Sequence, residues 1–173
     1  MSDATPSSQG SPFWRFSLAF YRLPKVADAC IALQEDAGVD VNLLLFLLWH
    51  ARQRRSLSAA DVAALEARIG PWRDLTVIPL RSVRRALKSP PALVAAATAE
   101  AFRNRIKAVE LEAERLQQEA LYALAPLGTE VSRAEDAARA NVAAYEEALH
   151  VRFPQGVANT VLTAFASMAP SGE

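Results

Sequence analysis

The stretch Ala37-Gly-Val-Asp-Val-Asn-Leu-Leu-Leu-Phe-Leu-Leu-Trp-His50 decides the fold class of this chain. Leu43 to Trp49 leave no face for water, so a helix built from them must be surrounded by other protein. Its start is marked on both sides. Gly38 is placed to close a preceding helix in the left-handed conformation, and Asp40 to cap the next one. Taken as a helix, Val41 to Trp49 would rise only about 14 Å, less than half of the ~30 Å hydrocarbon core of a bilayer. The run therefore reads as a central core helix of a protein without a membrane span.

Helical signals extend outward from this core. Phe13, Phe16, Phe20 and Leu23 recur at three- and four-residue steps, which predicts a helix over Pro12 to Arg22. Val26, Cys30, Leu33 and Ala37 mark a second. The aromatic density of the first, with Trp14 and Tyr21, serves either to cover Leu43 to Trp49 or to receive a partner. Ser58-Ala-Ala-Asp61 is a variant capping box that opens a short helix ending at Ile69, before Gly70-Pro71. Pro79 should kink or split the helical pattern between Pro71 and Lys88. From Pro91 to Ala125 no breaker occurs, and Phe102, Ile106, Val109, Ala113, Leu116, Ala120 and Ala123 follow a heptad rhythm. Pro126-Leu-Gly128 makes a turn, and Ser132 with Glu135 forms a capping box for a helix carrying Ala134, Ala138, Asn141, Tyr145 and Leu149. A final short helix follows Gly156. The expected fold is all-α: a compact bundle of seven or eight helices, with a long antiparallel helical hairpin in the C-terminal half. It forms one domain over residues 12–169, with a sub-boundary at 89–91 and tails at 1–11 and 170–173.

The composition is that of a globular protein, with 51% apolar residues among 173. Nineteen basic and nineteen acidic side chains cancel, so no global field recruits nucleic acid or an anionic membrane. The balance is uneven along the chain: through Lys88 there are 12 Lys/Arg against 8 Asp/Glu, and beyond it 7 against 11. The single Cys30 allows no internal disulfide and reads as a packed thiol. Residues 1–12 have neither the basic start nor the apolar core of a secretory signal. These features point to the cytoplasm.

Two clusters are candidate sites. Gln34, Asp36, Asp40 and Asn42 could hold a polar ligand or a hard cation, since such cations need several converging oxygens. Alternatively, Asp40 caps a helix while Asn42 and Gln34 tie adjacent segments together. Asn42 and His50 are about 80° apart on an ideal helix, which makes them poor partners for one metal. Arg81, Arg84, Arg85 and Lys88 share one helical stripe suited to phosphates. That stripe also suits the chain's own acidic second half, and no nucleic-acid motif accompanies it. No metal cluster, cofactor motif or catalytic triad is found.

The blocks Leu33-Gln34, Ala37 to Asn42 and Leu44 to Trp49, within a match spanning Phe13 to Leu87, resemble a family of short bacterial proteins carrying a domain of unknown function. The resemblance implies a compact helical cytoplasmic protein and transfers no activity. The residues alone favour a non-enzymatic interaction or adaptor protein that engages a protein partner or a second copy of itself. Two alternatives stand beside it: a small-molecule binder or enzyme built around Gln34, Asp36, Asp40 and Asn42, and a phosphate or nucleic-acid binder using the arginine stripe.

Overall fold

The computed structural model describes residues 10–168; residues 1–9 of the expected tail 1–11, and the expected tail 170–173, lie outside the described residues. Eight α-helices account for most of this span: α1 (Pro12–Tyr21), α2 (Val26–Ala37), α3 (Val41–Arg52), α4 (Ala59–Trp72), α5 (Ile78–Ala86), α6 (Ala96–Tyr122), α7 (Ala134–Leu149) and α8 (Gln155–Ser167). The chain is all-α, apart from a two-residue antiparallel ladder of β1 (Arg55–Ser56) with β2 (Thr129–Glu130), in which Arg55 pairs with Glu130 and Ser56 with Thr129. Two residues are too few to leave a period-2 signal, so no strand pattern was legible. Among the described residues, no helix is long and apolar enough to cross a membrane.

The helices fall into two compact units, residues 1–66 with 118–173, and residues 67–117. Both divisions lie inside helices, α4 and α6, and residues 89–91 fall within the second unit.

The first unit is organised around α3. Leu43 to Leu48, His50 and Ala51 are all buried, as the absence of a polar face requires. The Asp40 carboxylate accepts the Leu43 amide at 3.1 Å and caps α3. Gly38 closes α2 at φ +69°, where a side chain would be strained. Phe13 of α1 meets Phe46 edge-to-face at 5.1 Å between centroids, so the aromatic rings of α1 do cover the core helix. Ser11 caps α1 by accepting the Trp14 amide, and its own amide donates to Glu119 at 2.9 Å. Cys30 is buried, and desolvation pushes its thiol up to about 12, so it is a packed side chain rather than a nucleophile.

The longest-range packing departs from the expected hairpin. The stripe Ala138, Asn141 and Tyr145 of α7 is buried as expected, but α7 lies chiefly along α3 rather than along the helix that precedes it. The reason is polar: the Asn141 amide donates to the Leu47 carbonyl of α3 at 2.9 Å. The expected Ser132 capping box also does not form. Arg133 takes the cap position of α7 with no side-chain bond to the helix amides.

In the second unit the helical path runs on through both prolines. The expected stop at Ile69 is absent, and α4 continues through Gly70 and Pro71 to Trp72. A π-helical turn, Arg73–Val77, then leads directly into α5. Pro79 has no amide to donate, and widening the turn just before it redirects the carbonyls that an α register would leave without a donor. The Thr76 hydroxyl donates to the Trp72 carbonyl at 2.7 Å within that turn. Ser58 and Asp61, at the start of α4 in the first unit, form the expected box: Asp61 N–H donates to Ser58 Oγ at 3.1 Å, and Ser58 N–H to Asp61 Oδ2 at 2.9 Å.

Candidate functional site

Of the four polar residues singled out near the core helix, two are drawn inward. Asp40 and Asn42 are buried, Gln34 is half-buried on α2, and Asp36 is exposed in the last turn of α2. Asp40 gives its carboxylate to the cap, and its backbone amide donates to the Tyr145 hydroxyl at 2.9 Å. That hydroxyl in turn donates to Glu66 Oε2 at 3.2 Å. Burial, with the nearby Glu66 and Asp40 charges, drives the phenol well above its ordinary range, so Tyr145 stays protonated and remains a donor. Asn42 Oδ1 accepts from Gln118 Nε2 at 2.8 Å. These bonds tie helices of the first unit together, although the Gln118 Oε1 is buried without a hydrogen-bond partner. Among the described residues, no group of three or more His, Cys, Asp or Glu side chains is arranged to hold a metal ion.

A second buried network centres on residues whose role periodicity did not reveal. Asn141 Oδ1 accepts the Leu57 amide at 2.8 Å, while its Nδ2 reaches the carbonyls of Leu47 at 2.9 Å and Arg55 at 3.1 Å. His50 is wholly buried; its Nδ1 lies 3.1 Å from the Phe46 carbonyl and its Nε2 accepts the Leu127 amide at 3.1 Å. A ring that accepts at Nε2 carries its proton on Nδ1, which fixes the neutral tautomer. Desolvation lowers the His50 pKa, Arg55 adds to the shift, and the Phe46 bond opposes it. Arg55 holds the same turn through the carbonyls of Leu127 and Gly128, each at 2.7 Å. Buried Asn and His inside amphipathic runs were the signal available, but their partners lie 77 to 94 residues away.

The arginine stripe has a defined set of contacts within the second unit. Arg81 and Arg84 of α5 converge on Glu110 of α6, a carboxylate that is almost fully buried. Arg81 Nε lies 3.2 Å from Glu110 Oε1 and its Nη2 3.0 Å from Glu114 Oε1, while Arg84 binds Glu110 through Nε and Nη2. Burial alone would raise the Glu110 pKa, but the two guanidiniums outweigh it and hold the carboxyl below its usual range. Arg84 is correspondingly raised by its bond to Glu110. Arg85 and Lys88 are exposed. The charge asymmetry along the chain is thus used internally, the basic α5 answering the acidic part of α6.

Beside its exposed charges, the second unit leaves large apolar side chains uncovered. Leu75 is 76% exposed and Leu93 96%, and Phe102, Val109 and Leu116 lie open along α6. A groove of about 490 Å³ meets that row at Phe102, lined by Leu87, Pro90, Val94, Ala99 and Phe102, with Arg105 its charged member. The heptad row was legible, but it does not form one buried seam: Ala113 is buried and Ile106 half-buried, while Phe102, Val109, Leu116, Ala120 and Ala123 are exposed, and Ala99 and Glu110, outside the row, are buried with Ala113. Glu110 occupies a position that an apolar pattern would never select. It is buried because two arginines compensate its charge.

These features define an all-α protein with an internal polar framework and an outward apolar face. The chain belongs to a family described as a protein of unknown function, DUF2390, whose model matches residues 12–121. The match extends past the Phe13 to Leu87 region to take in the second unit and almost all of α6. Comparison with curated proteins and with solved structures gave no match.

Proposed function

We propose that this chain is a non-enzymatic docking protein whose second unit, residues 67–117, is its protein-binding surface. One observation carries the reading. Among the described residues, ten of the thirteen large apolar side chains left exposed belong to this unit, while Ile69, Val77, Ala99 and Ala113 are its only buried apolar ones. Surfaces of that character mark interaction sites, because burying them against a partner supplies the hydrophobic stabilisation the unit does not gain from its own core. The ion pairs of Arg81 and Arg84 with Glu110 and Glu114 hold α5 and α6 together and so present their apolar residues on a fixed scaffold. The polar groups around Asp40 and Asn42 serve the framework of the first unit in this reading.

The test is a photo-crosslinking amino acid placed in living cells at Leu75 or Leu93, with Ile31, 42% exposed in the first unit, as the control position. Discrete higher-mass adducts from the first two positions and none from Ile31 are expected. Adducts from none of the three, or equally from all, would overturn the assignment.

A further inference from the structure

We infer that α6 pairs with α6 of a second copy, antiparallel, across a two-fold axis at Val109. The inference rests on the docking reading above and names the occupant of one part of that surface. Phe102, Val109 and Leu116 are 47, 52 and 44% exposed and spaced by seven residues, so they form one straight row along the helix. Val109 is its midpoint. An antiparallel copy therefore sets Phe102 opposite Leu116 of the other chain, twice, and Val109 opposite itself, which is the self-complementarity a two-fold interface requires.

Charge selects a second copy over an unrelated helix. With Phe102, Val109 and Leu116 as one core position of the heptad, Arg105 and Glu112 occupy the flanking position that faces its own equivalent in an antiparallel pair. Turning the helix about Val109 brings Arg105 of each chain within one residue of level with Glu112 of the other, so that the two pairs along this flank both carry opposite charges. Both side chains are on the exposed side of α6: Arg105 lies at the groove, and Glu112 is held toward solvent by Arg115 at 2.7 Å. A parallel pairing would instead oppose Phe102 to Phe102 and set Arg105 toward Glu110, a buried carboxylate that Arg81 and Arg84 already hold. Ala101 and Ala108, on the same side, let two backbones approach closely. The apolar groove ending at Phe102 gives the opposing Leu116 a place to seat.

The test is sedimentation equilibrium on the full chain and on three variants. The wild-type chain should dimerise, Val109→Arg should be monomeric, and Arg105→Glu and Glu112→Arg should each weaken association by about tenfold or more. Mixing Arg105→Glu with Glu112→Arg in equal amounts should restore dimerisation, because each of the two pairs again carries opposite charges. Circular dichroism at 222 nm confirms that each variant is folded, since all three positions are exposed. A wild-type chain that stays monomeric to about 1 mM, a dimer that survives Val109→Arg, or a mixture that fails to recover would each overturn the pairing. A monomeric chain that still gives adducts from Leu75 overturns only the self-pairing and leaves the docking surface in place; loss of both removes the broader reading as well.

Discussion

The ring of His50 and the backbone amide of Leu127, 77 residues apart in sequence, are joined by a hydrogen bond of 3.1 Å that only the neutral imidazole can accept. Protonation of Nε2 would turn an acceptor into a donor facing a donor. The folded-state pKa is lowered from 6.5, mainly by burial, so the unfolded chain binds a proton more readily than the folded one. The contribution of His50 is then fully present above about pH 6.5 and is lost progressively as pH falls toward its folded value. Thermal melts between pH 7.5 and 5 should show stability dropping over that window, and His50→Gln, which has no group titrating there, should flatten the drop.

Gly128 and Gly38 provide a controlled pair of substitutions. Both sit at positive φ, +72° and +69°, yet an added Cβ at Gly128 would lie 2.3 Å from the Ser56 carbonyl oxygen, while nothing stands within 4 Å at Gly38. Gly38→Ala should cost about 1 kcal/mol, the backbone term alone. Gly128→Ala carries that term and an overlap with backbone that cannot swing aside, so a loss of at least about 2 kcal/mol is expected from urea denaturation. Equal losses for the two would mean that the β1–β2 ladder moves freely.

Asn141 serves one donor and two acceptors from a single buried carboxamide. Asn141→Leu keeps the volume and leaves the Leu57 amide without its acceptor. Each buried group so stranded costs about 1–3 kcal/mol, which predicts a large fall in urea midpoint and early hydrogen exchange at Leu57. An unchanged Leu57 exchange rate would show that the amide finds another partner.

The Arg81 and Arg84 pairs with Glu110 set how much phosphate affinity the arginine stripe can show. Glu110→Gln keeps the shape and removes the charge that Arg84 binds and that Arg81 shares with Glu114. Because the arginines are about one-fifth exposed, the stability loss should be discounted from the figure for a fully buried pair to about 1–2 kcal/mol. Arg84, released from Glu110 while Arg81 keeps its pair with Glu114, should raise the salt concentration needed to elute the protein from heparin, with the wild type eluting earlier. If both elute alike and late, Arg85 and Lys88 hold phosphate without help from the other two.

Much of the first unit was legible because its signals are local. A cap needs a residue three positions away, and Asp40 with Leu43 or Ser58 with Asp61 satisfy that within one turn. The unbroken apolar run of α3 could only be buried, whatever surrounds it. Gly70-Pro71 misled because a helix interior tolerates one missing donor, and the π turn absorbs the effect of Pro79 over five residues. The candidate site was harder to read. Asp40, Asn42 and Gln34 stood out as polar residues near a dry helix, but the roles of Tyr145, Asn141 and His50 depend on partners brought from far along the chain.

By itself the sequence determined that this protein is helical, where most helices begin, and which helix lies at the centre, since periodicity and capping act over four to seven residues. Only the tertiary structure decided that α7 packs on α3, that Glu110 is enclosed by Arg81 and Arg84, and that Phe102, Val109 and Leu116 of the α6 heptad row stand exposed while Ala113 is buried. The physical reason is that a helix with two usable faces has no local preference between them. Which face is buried depends on the charges and hydrogen-bonding groups that distant segments bring to it.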